Sequence, residues 1–282
     1  MGPLRSTSPA VAYEGFPKFT VFFQPIVDVA NRRVPIYEAL TRGLDGRAYP
    51  DLVAGMSKEM LHGFHRRTAF RAMRLAAKQH LLDLGAVLSI NIQPDVTAGA
   101  MDAEFLQNAA RHHGIPASRI IVELTEDHKL SLKDLRTLVG ANQAAGFVTA
   151  MDDFGAGYAG LNMLVDCRPE ILKMDRGLIR GIATDSTRQK IVGAFFDLSK
   201  SLNMTVIAEG VETQDECDTL RELGITLMQG YLFSAPVPRL IPWQLEWGQE
   251  RRQASPKILQ LDRALDRAGQ KAPRSPSVAM QA

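Results

Sequence analysis

Eight short, apolar, β-rich runs separated mostly by helical stretches constrain this chain more than any other feature. The runs are Phe19–Val27, Val34–Thr41, Val87–Ile92, Arg119–Leu124, Phe147–Asp153, Glu170–Met174, Met204–Ala208 and Ile225–Gln229. Most are nearly continuous hydrophobics, as expected of strands covered on both faces. Between them, Arg66–Leu84, Ala103–His112, Ser131–Ala145, Ser186–Leu202 and Thr213–Leu223 carry apolar residues at helical spacing. Gly85, Gly114, Gly146 and Gly224 follow four of these stretches, where a left-handed cap residue belongs. Such alternation predicts an α/β fold with a mostly parallel sheet, and eight strands predict a modified TIM-like (β/α)8 barrel. Only Asp28–Arg33 separates the first two strands, too short for a parallel crossover. The first strand is therefore expected to be antiparallel. An open doubly wound sheet is the alternative, but its glycine-rich phosphate loop would fall where this chain reads QPIVDVANRR.

Composition removes several other classes. The chain has 282 residues, 45% hydrophobic, with a net charge of +2, so no global field favours a nucleic-acid polymer. Two cysteines cannot build a disulfide scaffold, and no apolar run or leader-like segment points to a membrane span or secretion. A cytoplasmic protein is expected. Its body is read as residues 16–249, after a flexible 1–15. From Glu250 onward seven basic residues face three acids in an Ala/Pro-rich tail, read as partly disordered with a short helix near Ile258–Ala268 and no identified partner.

Barrels carry their chemistry at the C-terminal ends of the strands. There the chain places Glu38, Asn91, Glu123, the neighbours Asp152 and Asp153, Lys173, Glu209 and Gln229, with Glu126 and Glu212 close by. One acid at a strand end is usually a helix cap or a solvated loop residue. Five carboxylates on one rim are different, because burying unpaired anions costs several kcal/mol each. Cations relieve that cost. Carboxylates and a carboxamide, without clustered His or Cys, suit Mg²⁺ or Mn²⁺ rather than Zn²⁺. The six histidines lack zinc-ligand spacing near the rim and are assigned structural roles. Adjacent Asp152 and Asp153 can each reach a different ion, and two metals about 3.5–4 Å apart are a common device for phosphodiester hydrolysis. A kinase reading of Asp-Phe-Gly fails for want of the glycine-rich loop, strand lysine and HRD segment.

The segments QPIVD, YEALTR, NIQP, ELTE, DDFGAGYAGL, ILKMD, IAEGVET and QGYLF occur in the order seen in EAL-domain cyclic di-GMP phosphodiesterases, which this chain resembles over about residues 19–240. The GAGYAGLNML wording is similar to that of EAL domains linked to blue-light sensors. No sensor is expected here, since the first strand starts near the beginning of the chain. The resemblance implies hydrolysis of cyclic di-GMP to linear pGpG. It implies that Glu38, Asn91, Glu123 and Asp152 hold one metal, with Asp152 shared and Asp153 and Glu209 at a second. Lys173 matches the lysine that touches the attacking water, so Lys173, Glu209 and Glu38 are the expected catalytic groups. Gln24, Leu40, Arg42 and Gln229 match substrate-lining positions. Glu126 and Glu212 are expected to steady loops.

Some wording departs from the family. Gln93 stands where NxS is often completed, DDFGAGYAG replaces a more usual DDFGTGYSS, and His65 stands where an aspartate is frequent. None of the matched ligands is missing. A module that binds cyclic di-GMP or a protein without cleaving it is the alternative, and such members typically lose the residues retained here. An unrelated glycerophosphodiester hydrolase barrel would explain the carboxylates but not the ordered motifs. The resemblance also implies a homodimer, for which Gly157–Arg168 and Met174–Ile182 carry apolar residues. Light scattering at micromolar concentration should then show twice the chain mass; a monomer argues against a stable dimer.

Overall fold

The computed structural model describes residues 15–92, 99–125, 131–156 and 160–244. Eight strands close a barrel in sequence order: β1 Phe19–Asp28, β2 Arg33–Gly43, β3 Val87–Asn91, β4 Ile120–Thr125, β5 Val148–Phe154, β6 Ile171–Met174, β7 Thr205–Ala208 and β8 Leu227–Met228. β1 runs antiparallel to both β2 and β8, and every other neighbouring pair is parallel. The short Asp28–Arg33 link therefore has the expected consequence. The doubly wound alternative falls, because the sheet has no open edge.

Helices α1 Tyr49–Val53, α2 Lys58–Lys78, α3 Gly99–His112, α4 Leu132–Ala144, α5 Gly160–Cys167, α6 Arg176–Ile179, α7 Ser186–Ser201 and α8 Gln214–Glu222 surround the barrel. Three of them, α1, α5 and α6, are shorter than the periodicity analysis can register. α2 departs most from expectation. It begins two turns earlier, capped by Ser57, whose side chain accepts from the Met60 N–H, and it stops at Lys78. His80 then takes a left-handed conformation (φ 59°), and Leu81 is buried from the following turn, which prolongs the apolar spacing without prolonging the helix.

Two apolar layers result from strand alternation. Ile26, Ile36, Val87, Ile121, Val148, Ala150, Ile171, Ile207 and Leu227 form one cluster, the plug inside the barrel. The larger cluster lies between the strands and the helices. The β1–β2 hairpin has no crossover helix of its own, and the chain after β8 covers it. Phe23 and Val237 exchange backbone hydrogen bonds, Tyr37 Oη donates to Ile241 O at 2.7 Å, and Gln79 bonds Leu240 N and Pro238 O. Residues 1–14 and 245–282, including the tail and its expected short helix, lie outside the described residues. No described helix is long and apolar enough to cross a membrane.

Ile121 sits in the plug with 1% exposure. Ile121→Ala should cost about 2–5 kcal/mol through lost burial and a residual cavity. The midpoint of urea denaturation should fall accordingly.

Candidate active site

The plug residues fix which side chains reach the mouth. Two positions along from Ile36, Ile121, Ile171, Ile207 and Leu227 come Glu38, Glu123, Lys173, Glu209 and Gln229. Two beyond Ala150 comes Asp152, and four beyond Val87 comes Asn91. β1 runs the other way, so Gln24 precedes Ile26. A period of two thus raises one polar layer directly above one apolar layer.

Asp153 breaks this alternation. As a regular strand residue it would point away from Asp152. Instead it takes a left-handed φ of 56°, and the β5–β6 register shifts between Met151 and Phe154. Aspartate tolerates this conformation better than most residues. The irregularity lets both carboxyls face the mouth: oxygens of Asp152, Asp153 and Glu209 lie within 4.8 Å of one another.

Lys173 is the centre of the layer, with 1% exposure. Its ammonium lies 2.7 Å from Glu209, 2.8 Å from Asp152, 3.0 Å from Glu123 and 3.5 Å from Glu38, touching a single oxygen of each. Burial works against its charge, yet the four carboxylates push its pKa well above the ordinary lysine value. Glu38 keeps its charge. Burial opposes it, but Lys173 and hydrogen bonds from Gln229 (2.6 Å) and Asn91 (2.8 Å) outweigh that and hold its pKa low. Glu123 goes the other way, raised by burial and by the Glu38 and Asp152 charges. Glu209 is pushed up to about 8 by burial and then by Asp152 and Glu38, against the pull of Lys173. Asp153, at the solvent edge, rises to about 6 through desolvation and its neighbour Asp152.

One ammonium therefore does not neutralise this rim. Buried Glu123 Oε2 and Gln229 Oε1 have no hydrogen-bond partner. Spare, oxygen-only acceptors under excess negative charge fit hard divalent cations. Among the described residues, Asp152, Asp153 and Glu209 have the spacing that could hold one, with Glu38, Asn91 and Glu123 beside them.

The remaining expected residues divide. Gln24 receives a hydrogen bond from Gln229 and donates to Ser234 O. Leu40 and Arg42 are half-buried on β2, two and four positions beyond Glu38. Glu212 does not join the carboxylates; it pairs with Arg176 at 2.8 Å, tying the loop after β7 to α6. Glu126 and Gln93 lie outside the described residues. Of the two apolar segments expected at a dimer face, Met174, Ile179 and Ile182 are packed inside, whereas Val165 on α5 is 67% exposed.

Two supporting residues escaped the sequence analysis. Ser89 donates to Glu123 Oε1 at 2.6 Å, and its position two before Asn91 on β3 was the available signal. Buried Glu216 accepts from the backbone N–H groups of Glu212, Thr213 and Gly181, fixing the loop after Glu209. The Thr213–Glu216 capping box was its signal. Gly230, following Gln229, is also required, since a Cβ there would lie 1.9 Å from Val211 O.

Comparison with known proteins gives this constellation a family. PdeN of Escherichia coli K12, described as a probable cyclic di-GMP phosphodiesterase, is 32% identical over 248 residues, covering 84% of this chain and 46% of PdeN. The chain thus spans about half the length of that curated relative. A standalone EAL protein from Vibrio cholerae O395, solved with c-di-GMP bound, superposes with a TM-score of 0.78 at 34% identity, covering 84% of this chain and 100% of that one. Klebsiella pneumoniae BlrP1, solved with manganese and the same dinucleotide, gives 0.73 at 33% identity, covering 80% of this chain and 57% of that one. The EAL-domain model matches residues 15–236, and the chain belongs to the EAL-domain family.

Proposed function

We propose that this chain hydrolyses one phosphodiester of cyclic di-GMP to linear pGpG in the bacterial cytoplasm, with Mg²⁺ or Mn²⁺ at a two-ion site. The observation that carries this reading is the set of four carboxylates gathered around Lys173 with acceptor oxygens to spare. The dinucleotide and manganese held by the neighbouring structures support the same substrate and ion class.

Glu38, Asn91, Glu123 and Asp152 would hold one ion, and Asp152, Asp153 and Glu209 the other. Divalent ions held there would lower the pKa of water and offset charge on phosphate oxygens. The chain's own groups do the rest. Lys173, between Asp152 and Glu209, is suited to orient the water and to offset negative charge developing on the phosphoryl oxygens. Glu209, 2.7 Å from the Lys173 ammonium, fixes that ammonium beside the water. Arg42 offers a guanidinium to a phosphodiester oxygen. Gln229, anchored on Glu38 and Gln24, limits where the scissile end can sit. A homodimer would use α5, where Val165 stands exposed, and the 16–249 body would act as the unit of catalysis.

The direct test is incubation with cyclic di-GMP and Mg²⁺ or Mn²⁺, read by chromatography. pGpG should appear; its absence with tight binding of intact substrate would favour a receptor instead. Glu38→Ala should abolish turnover with an unchanged circular dichroism spectrum, and full turnover by the folded variant would remove Glu38 from the site. Ca²⁺ should inhibit, since its larger radius and looser geometry place the nucleophile poorly. Because the ions bind only the folded rim, Mn²⁺ at a hundredfold over its dissociation constant should stabilise the protein by about 2.7 kcal/mol. A chelator should reverse the resulting rise in Tm, and Asp152→Asn should blunt it.

A further inference from the structure

We propose that a cleft between the C-terminal ends of α2 and α3 binds a purine nucleoside monophosphate. This goes beyond the hydrolytic reading and does not depend on it. The cleft holds about 480 Å³ and is lined by Phe70, Arg74, Ala77, Lys78, His112 and His113. Small-molecule sites start at about 300 Å³.

Two features of the lining define the ligand. The first is aromatic. Phe70 stacks with His112 at 5.8 Å between ring centres and meets His113 edge-on at 4.6 Å, while the two histidines lie 4.8 Å apart. Half-buried His113 carries a buried Nε2 with no hydrogen-bond partner. A planar heterocycle finds aromatic surface here. The second is charge. Arg74 and Lys78 lie one turn apart on α2, both exposed, and neither pairs with an acid among the described residues. No acidic side chain lines the cleft. The nearby acid Asp83 is engaged by His80, and Arg111 bonds Asn108.

Basic residues in a last helical turn also answer the helix dipole, which must be counted. Each helix end contributes about half a negative charge. Two ends cancel only about half of the Arg74 and Lys78 charge, and the cleft stays positive. A phosphate matches that excess, and a purine matches the rings. The helices run counter to the parallel strands, so their C-terminal ends lie at the floor of the barrel, opposite the carboxylate mouth.

The full chain, kept in chelator so that the carboxylate rim holds no ions, should bind AMP in a calorimetric titration. AMP is the probe because its base differs from guanine. Inorganic phosphate and adenosine should each bind much more weakly than AMP. The double substitution Arg74→Glu and Lys78→Glu, both on exposed positions, should weaken AMP about tenfold or more. His112→Ala should weaken AMP while leaving phosphate unaffected. Wild-type protein that ignores millimolar AMP overturns the proposal, as does binding untouched by the double substitution. Phosphate as tight as AMP overturns the nucleotide assignment. The double variant should hydrolyse cyclic di-GMP at the wild-type rate. If neither protein hydrolyses it, the other reading has failed and this one stands on its titration.

Discussion

The electrostatic balance at Lys173 is the constraint on which the rest of this barrel depends. A buried ammonium, three buried carboxylates and the half-buried Glu209 cannot be assembled piecemeal, because each buried charge alone costs several kcal/mol to desolvate. They are tolerable only together, and together they still carry excess negative charge. That surplus leaves the rim short of a completed salt-bridge network. It also explains why proton affinities split: Glu38 is held ionised by Lys173 and two carboxamides, whereas Glu123 and Glu209 move toward the protonated form. At Glu123 the hydrogen bond from Ser89 is outweighed by burial and by the Glu38 and Asp152 charges.

The scaffold makes this charge density possible by separating it from the apolar interior with one step of strand alternation. The plug of Ile, Val, Ala and Leu underlies the polar layer. The antiparallel first strand contributes Gln24 from its middle, and the segment after β8 replaces the missing crossover helix over the hairpin. Stability and chemistry are thus divided along each strand: one residue seals, and the next but one reacts.

Much of this was legible in the chain. Nearly continuous apolar runs identified all eight strands, because doubly covered strands leave little else to read. The six-residue link Asp28–Arg33 gave the direction of β1 by length alone. The strand-end rule collected Glu38, Asn91, Glu123, Asp152, Lys173, Glu209 and Gln229, since parity and topology place them without side-chain detail. Short helices α1, α5 and α6 were not legible, because eight residues or fewer do not establish a period. Nor was the meeting of Lys173 with four carboxylates, which come from four different strands. Glu212 shows the limit of proximity in sequence: three residues past Glu209, it turns to Arg176.

Asp153 carries one more consequence. Its backbone sits where β-branched and bulky residues are strained, so most replacements there would alter chain shape and charge at once. Asparagine is the substitution that keeps the left-handed turn while discharging the side chain. At this position, an alanine scan would confuse architecture with chemistry, and the amide alone tells them apart.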